Sequence, residues 1–143
     1  MGSDISSVLK VNYEDIQDLC KSSGSGTHAY LISTLPPTMQ TCLIKGTLKI
    51  EDEISTINAM LSHANEKDRD IILYGKNSND DTLYKKYQQL TGLGFKSVKV
   101  YFGGMFEWLL LQDVYGSDSF PTTSKEIDIL KFKPLRNKNA LRV

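Results

Sequence analysis

A chain of 143 residues, 40% of them hydrophobic and 24% charged, can bury one core of ordinary size without disulfides or metal. Its formal net charge is zero, which argues against nucleic acid as a partner. Two cysteines, Cys20 and Cys42, are too few and too unpatterned for a disulfide framework or a zinc site, and no apolar run is long enough to cross a membrane. The N-terminus lacks the apolar segment of a secretory signal, so a reducing, cytoplasmic setting is expected.

Met1-Gly2-Ser3-Asp4-Ile5-Ser6 satisfies the loose myristoylation pattern, so membrane contact is expected only if Gly2 is acylated. Ser7 to Val11 reads as a short strand, and Asn12 as the N-cap of a helix over 13–21 with Glu14 and Asp15 in its first turn. Ile16, Leu19 and Cys20 form the buried stripe of that helix, which makes Cys20 a small hydrophobe. Ser22 to Gly26 is a loop. Ala29 to Ser33 is a strand, ended by Pro36-Pro37, and Cys42 to Ile50 holds a short apolar run with a turn at Gly46.

From Glu51 to about Asn65, Ile54, Ile57, Leu61 and Ala64 mark a helical stripe. Ile71 to Tyr74 is continuously apolar, the pattern of a parallel strand covered on both faces. Asn79, Asp80 or Asp81 caps the next helix, which turns Leu83, Tyr87 and Leu90 inward and ends at Gly92 or Gly94. Val98 to Phe102 is a further strand, and another helix begins beyond Gly103-Gly104. Strands alternating with helices predict an α/β domain with a mainly parallel sheet.

Three segments resemble the rhodanese-like domain family. Leu31-Ile32-Ser33-Thr34-Leu35 stands where that family has an apolar strand followed by Asp, an apolar residue and Arg. The run from Cys42 to Ile50 matches the family's Gly-His-Ile-x-Gly-Ala-x-x-Ile segment at Ile44, Gly46 and Ile50. The block from Ile71 through Leu93-Gly94-Phe95 and Val98 to Gly103-Gly104-x-x-x-Trp108 is the most specific of the three. The likeness covers about Val8 to Tyr115, and it implies a three-layer α/β/α fold with a five-stranded, mainly parallel sheet. The expected organisation is a rhodanese-like domain over 1–115, then an extension over 116–143 that packs on it and ends in a basic tail.

Active members of the family place a Cys after the central strand, in a loop whose N–H groups and adjoining helix stabilise the thiolate. The matching position here is Gly75, which has no nucleophile. Where the family has a loop Arg this chain has Asp80 and Asp81, and its strand-one Asp and Arg are matched by Ser33 and Leu35. Lys76 is the one cation of the degenerate loop Gly75, Lys76, Asn77, Ser78, Asn79, Asp80, Asp81 and Thr82. The resemblance therefore implies a pseudoenzyme without catalytic residues, cofactor or metal. His28 and His63 stand apart from any acid cluster. An alternative is residual sulfur transfer or anion binding through the Gly75–Thr82 loop with Cys42.

The helix after Gly103-Gly104 carries more apolar residues than one covered face needs: Met105, Phe106, Trp108, Leu109, Leu110 and Leu111. Cover from the extension, through Phe120, Ile127, Ile129, Leu130 and Phe132, competes with cover by a partner. The candidate interaction residues are thus Met105, Phe106, Trp108, Leu109 and Leu111, together with the cations Lys133, Arg136, Lys138 and Arg142 of the tail. A protein partner or homo-oligomer is expected, and the tail leaves an anionic partner open. The reading is a protein-binding or structural scaffold module.

Overall fold

In the computed structural model the described residues are 8–21, 29–63, 68–136 and 139. Gly2, the Ser22–Gly26 loop, His28, Lys138 and Arg142 lie outside them. The elements run β1 (Leu9–Val11), α1 (Tyr13–Lys21), β2 (Ala29–Ser33), α2 (Ile50–Leu61), β3 (Asp70–Tyr74), α3 (Asp81–Gly92), β4 (Val98–Tyr101) and α4 (Gly104–Tyr115). Short 3-10 turns lie at Pro37–Met39 and Ile129–Phe132. All pairings are parallel, in the order β1-β4-β3-β2.

The side-chain alternation of β3 explains its unbroken apolar sequence. Ile72 and Tyr74 point into a core shared with Ile16 of α1 and Met105, Trp108 and Leu109 of α4. Ile71 and Leu73 point into a second core, shared with Ile57 and Met60 of α2 and Leu83 and Leu90 of α3. A strand with helices on both sides cannot afford a polar face. The result is the three-layer α/β/α arrangement.

Local signals act where the sequence places them. Asn12 Oδ1 accepts from the N–H groups of Glu14 (2.9 Å) and Asp15 (3.3 Å), and Asp15 Oδ2 accepts in return from Asn12 N–H (3.0 Å). At the end of α3, Gly94 N–H reaches Thr91 O (3.0 Å) and Phe95 N–H reaches Leu90 O (3.2 Å), a Schellman closure. The α2 stripe differs from expectation. Ile57 and Met60 are buried, but Ile54 is 74% exposed, so the helix presents a face rotated from the one its isoleucines suggest.

The described sheet has four strands, not five. The segment after Cys42 meets β2 only through a single Leu31–Thr47 bridge and the bond from Leu48 N–H to Leu31 O (2.8 Å). Gly46, at φ +93°, turns the chain there, and Thr47 N–H closes back on Ile44 O (3.1 Å). A chain folded on itself at this point leaves too little extended backbone for a strand.

After α4, residues 117–132 run back over the α1/α4 face. Ile44 and Thr122 form an antiparallel bridge, Lys45 N–H donates to Pro121 O (3.1 Å), and Thr123 N–H donates to Leu43 O (2.8 Å). Phe120 and Phe132 enter the core beside Trp108, and Phe132 is fully buried. No helix among the described residues is long and apolar enough to cross a membrane.

Phe132→Ala is expected to lower stability by about 3–5 kcal/mol, the usual cost of emptying a buried aromatic site. Leu135→Ala, three residues on but 90% exposed, should change it by less than about 0.5 kcal/mol. Urea unfolding of the two variants beside the parent checks both.

Candidate functional site

Open parallel sheets bind ligands beyond the carboxyl ends of their strands. Here that edge is formed by Ser33 at the end of β2, Thr34 beyond it and Gly75 after β3. Thr34 N–H donates to Tyr74 O (2.8 Å), which holds the two strand ends together. Beyond Gly75 the chain forms a tight loop and enters α3 at Asp80.

The start of α4 fixes this loop from one side. Met105 N–H donates to Gly75 O (3.0 Å) and Phe106 N–H to Lys76 O (2.8 Å). Gly104 makes the approach possible: it sits at φ +65°, and a Cβ there would lie 2.6 Å from Gly75 O and 2.9 Å from Asn77 N. Asn77 fixes the loop from within. Its buried side chain accepts from Asn79 N–H (2.9 Å) and donates to Phe132 O (2.8 Å), tying the loop to the segment that follows α4.

Asp80 fills the loop's interior. Oδ1 accepts from Thr82 N–H (3.0 Å) and from the Thr82 hydroxyl (2.7 Å), the bonds of an N-cap. Oδ2 reaches back to Lys76 N–H (2.9 Å). A Cβ on residue 75 would lie 2.4 Å from Oδ2 and 2.9 Å from Thr34 Oγ1. Ser78, Asn79, Asp81 and Thr82 are exposed and Lys76 is half-buried. The Thr34 and Thr82 hydroxyls lie 2.8 Å apart. They open on a shallow groove of about 390 Å³ between α2 and α3, bordered by the Lys86–Glu53 ion pair.

The rhodanese-like domain model matches residues 20–111, more than half of the chain. The chain belongs to the rhodanese-like domain family. Among solved structures it is similar to the Alr3790 protein from Anabaena sp., at 18% identity over 85% of this chain and 97% of that one, with a TM-score of 0.56. A full-length protein from Lactobacillus plantarum is similar at 14% identity, over 82% and 88% of the two chains, with a TM-score of 0.56. The single-domain sulfurtransferase RDL2 of Saccharomyces cerevisiae is similar at 14% identity, over 83% and 100%, with a TM-score of 0.53. At these identities the likeness is one of fold. Among curated proteins there is no significant match.

Within this rhodanese-like fold, the positions that the resemblance pairs with the family's strand-one Asp and Arg are buried. Ser33 Oγ accepts from Leu35 N–H (3.1 Å), and Leu35 is part of the core. Cys42 is 2% exposed, with its thiol donating to Ser124 O (3.3 Å). Cys20 is half-buried against Lys45 O (3.4 Å), and burial pushes its thiol pKa up against the opposing pull of Lys45.

The apolar interaction candidates lie mostly inside. Met105, Trp108 and Leu109 are at most 1% exposed, and Phe106 and Leu111 are half-buried. The cause is the segment after α4: Trp108 Nε1–H donates to Pro121 O (3.1 Å), and Phe120 stacks edge-on against the indole at 5.0 Å. The outward side chains of α4 are instead Leu110, Val114 and Tyr115, with Ile127 and Leu130 exposed on the following segment. Lys133 and Arg136 are exposed.

Three features near the loop carry no signature in sequence. Tyr74 is fully buried, with its hydroxyl accepting from Ile44 N–H (3.1 Å) and paired with Thr47 Oγ1 (2.6 Å), and burial drives its pKa far up. Asn77 is a second such feature, recognisable only once Phe132 is seen to reach it. The third is Glu107, whose carboxylate folds back over Gly103 and bears on the buried Tyr101 hydroxyl. Burial raises the Glu107 pKa above the ordinary 4.5, against the lowering influence of Tyr101.

A carboxyl whose pKa is raised by folding is disfavoured in its charged form. It costs nothing below its unfolded value and destabilises increasingly as pH rises through the folded one. The stability of the parent relative to Glu107→Gln should therefore fall as pH is taken upward from about 4.5. Paired urea titrations across pH check it, and a difference that rises with pH would show the opposite linkage.

Proposed function

We propose that this chain is a non-catalytic rhodanese-like protein that acts as a protein-binding or structural scaffold module. One observation carries the reading: the position after β3 is a glycine, and the space that a side chain there would need holds the Asp80 carboxylate. A thiolate at that point is what the chemistry of a sulfur carrier requires. Neither cysteine offers a ready substitute. Cys42 is enclosed and hydrogen-bonded, and burial keeps Cys20 in its protonated, weakly nucleophilic form.

The alternative, sulfur or anion handling by the loop with Cys42, needs that thiol open to solvent, and its 2% exposure weighs against it. What supports a partner is the exposure of large apolar side chains, Leu110 and Val114 of α4 and Ile127 and Leu130 of the following segment, with the exposed cations Lys133 and Arg136 a few residues further along the chain. Scattered apolar side chains are normal on a soluble surface, but several large ones on adjoining elements suit an interface.

The deciding experiment is incubation of the parent protein with thiosulfate, followed by intact-mass spectrometry. The expected result is no gain of a sulfur atom. A sulfur adduct that disappears in Cys42→Ser would replace this reading with the alternative.

A further inference from the structure

The capping role of Asp80 uses only one of its oxygens. Oδ1 takes the Thr82 N–H and hydroxyl, which is what a helix N-cap does. Oδ2 turns the other way and accepts from Lys76 N–H, a donor of the loop rather than of the helix. It lies 2.4 Å from the point where a Cβ of residue 75 would sit, and Cγ lies 3.0 Å from it. Donors from two segments thus converge on one carboxylate, placed where the side chain of residue 75 would project.

We propose that Asp80 is an internal ligand of the 75–80 loop: a tethered carboxylate that occupies the space a side chain at residue 75 would take and keeps out a small external oxyanion. The exclusion has two parts. Sterically, real Cβ atoms do not approach other heavy atoms to 2.4 Å, so a side chain at residue 75 must turn the Asp80 carboxylate off the Lys76 N–H while leaving its charge at the loop. Electrostatically, a fixed negative charge stands beside the donors that an anion would use, with Lys76 the one cation of the loop to offset it. The inference goes beyond the absence of a nucleophile: restoring one by a single substitution is not enough.

The test compares the parent, Gly75→Cys, Asp80→Ser and the double variant Gly75→Cys/Asp80→Ser. Serine keeps a hydroxyl for the cap and withdraws the carboxylate. Folding of each is followed by circular-dichroism melts, sulfate binding by isothermal titration, and sulfur uptake from thiosulfate by intact mass with peptide mapping. In the uptake step the introduced thiolate attacks the outer sulfur of thiosulfate, the S–S bond of thiosulfate breaks, and sulfite leaves with the bonding electron pair, so a persulfide remains.

The expected result is sulfate binding at least about tenfold tighter in Asp80→Ser than in the parent. Uptake at residue 75 is expected in the double variant and not in Gly75→Cys alone. Equal uptake by the single and double variants overturns the proposal, and so does sulfate binding by Asp80→Ser no tighter than that of the parent. If the serine variants fail to fold, Asp80→Gly, a tolerated N-cap with neither carboxylate nor side chain, carries the same comparisons. Sulfur found on the parent chain counts against the non-catalytic reading alone, because mapping separates it from uptake at residue 75.

Discussion

The peptide between Gly75 and Lys76 is the joint on which the site depends. In a trans peptide the carbonyl and the N–H point in opposite directions. Gly75 O accepts from Met105 N–H at the start of α4, so Lys76 N–H faces away from α4 and meets Asp80 Oδ2. One planar unit therefore couples the first turn of α4 to the cap of α3. The same contact sets the phase of α4. With its first turn fixed on Gly75 and Lys76, Met105, Trp108 and Leu109 face the sheet while Leu110 and Val114 face out. That orientation requires Gly104 to have neither a Cβ nor a negative φ.

The segment after α4 completes what this orientation leaves unfinished. A buried indole N–H needs an acceptor, and Pro121 O supplies it. Tyr101 and Phe120 both meet the Trp108 ring edge-on, at 81° and 79°. Further along, Phe132 fills the core while its carbonyl takes the Asn77 amide, so the end of this segment and the 75–80 loop are ordered by one residue. The aromatic cluster and the loop are thus neighbours in one structure. A change in the segment after α4 acts on the loop through Asn77.

Much of the fold was legible because its signals are local or periodic. The Asn12 cap, the doubly covered β3 and the Gly103-Gly104 turn each follow from a few consecutive residues. The misreadings have a common cause in tertiary geometry. Ile54 fits a helical stripe as well as Ile57 does, and only packing decides which one faces the core. The five strands that the resemblance implies are four here, since the turn read at Gly46 limits the segment after Cys42 to one bridge with β2. For Trp108 the sequence sets cover by the extension beside cover by a partner, and the extension supplies it from residues that follow without any periodic pattern.

The candidate site shows the same division at closer range. That the resemblance sets Gly75 and Asp80 where the family has Cys and Arg is visible in the letters of the sequence; where the carboxylate points is not. Two outcomes were physically open to it, an exposed cap or an inward anion, and Asp80 satisfies both by dividing its oxygens. The balance of magnitudes then determines the character of the loop. A helix end favours an anion by about 0.3–1 kcal/mol, whereas two unit charges about 4 Å apart at a surface dielectric repel by about 4 kcal/mol. A carboxylate tethered in the chain also avoids the entropy cost that a free ion bears on binding. On the proposed reading, the anion that a helix end favours is supplied here from within, by the Asp80 carboxylate that caps α3.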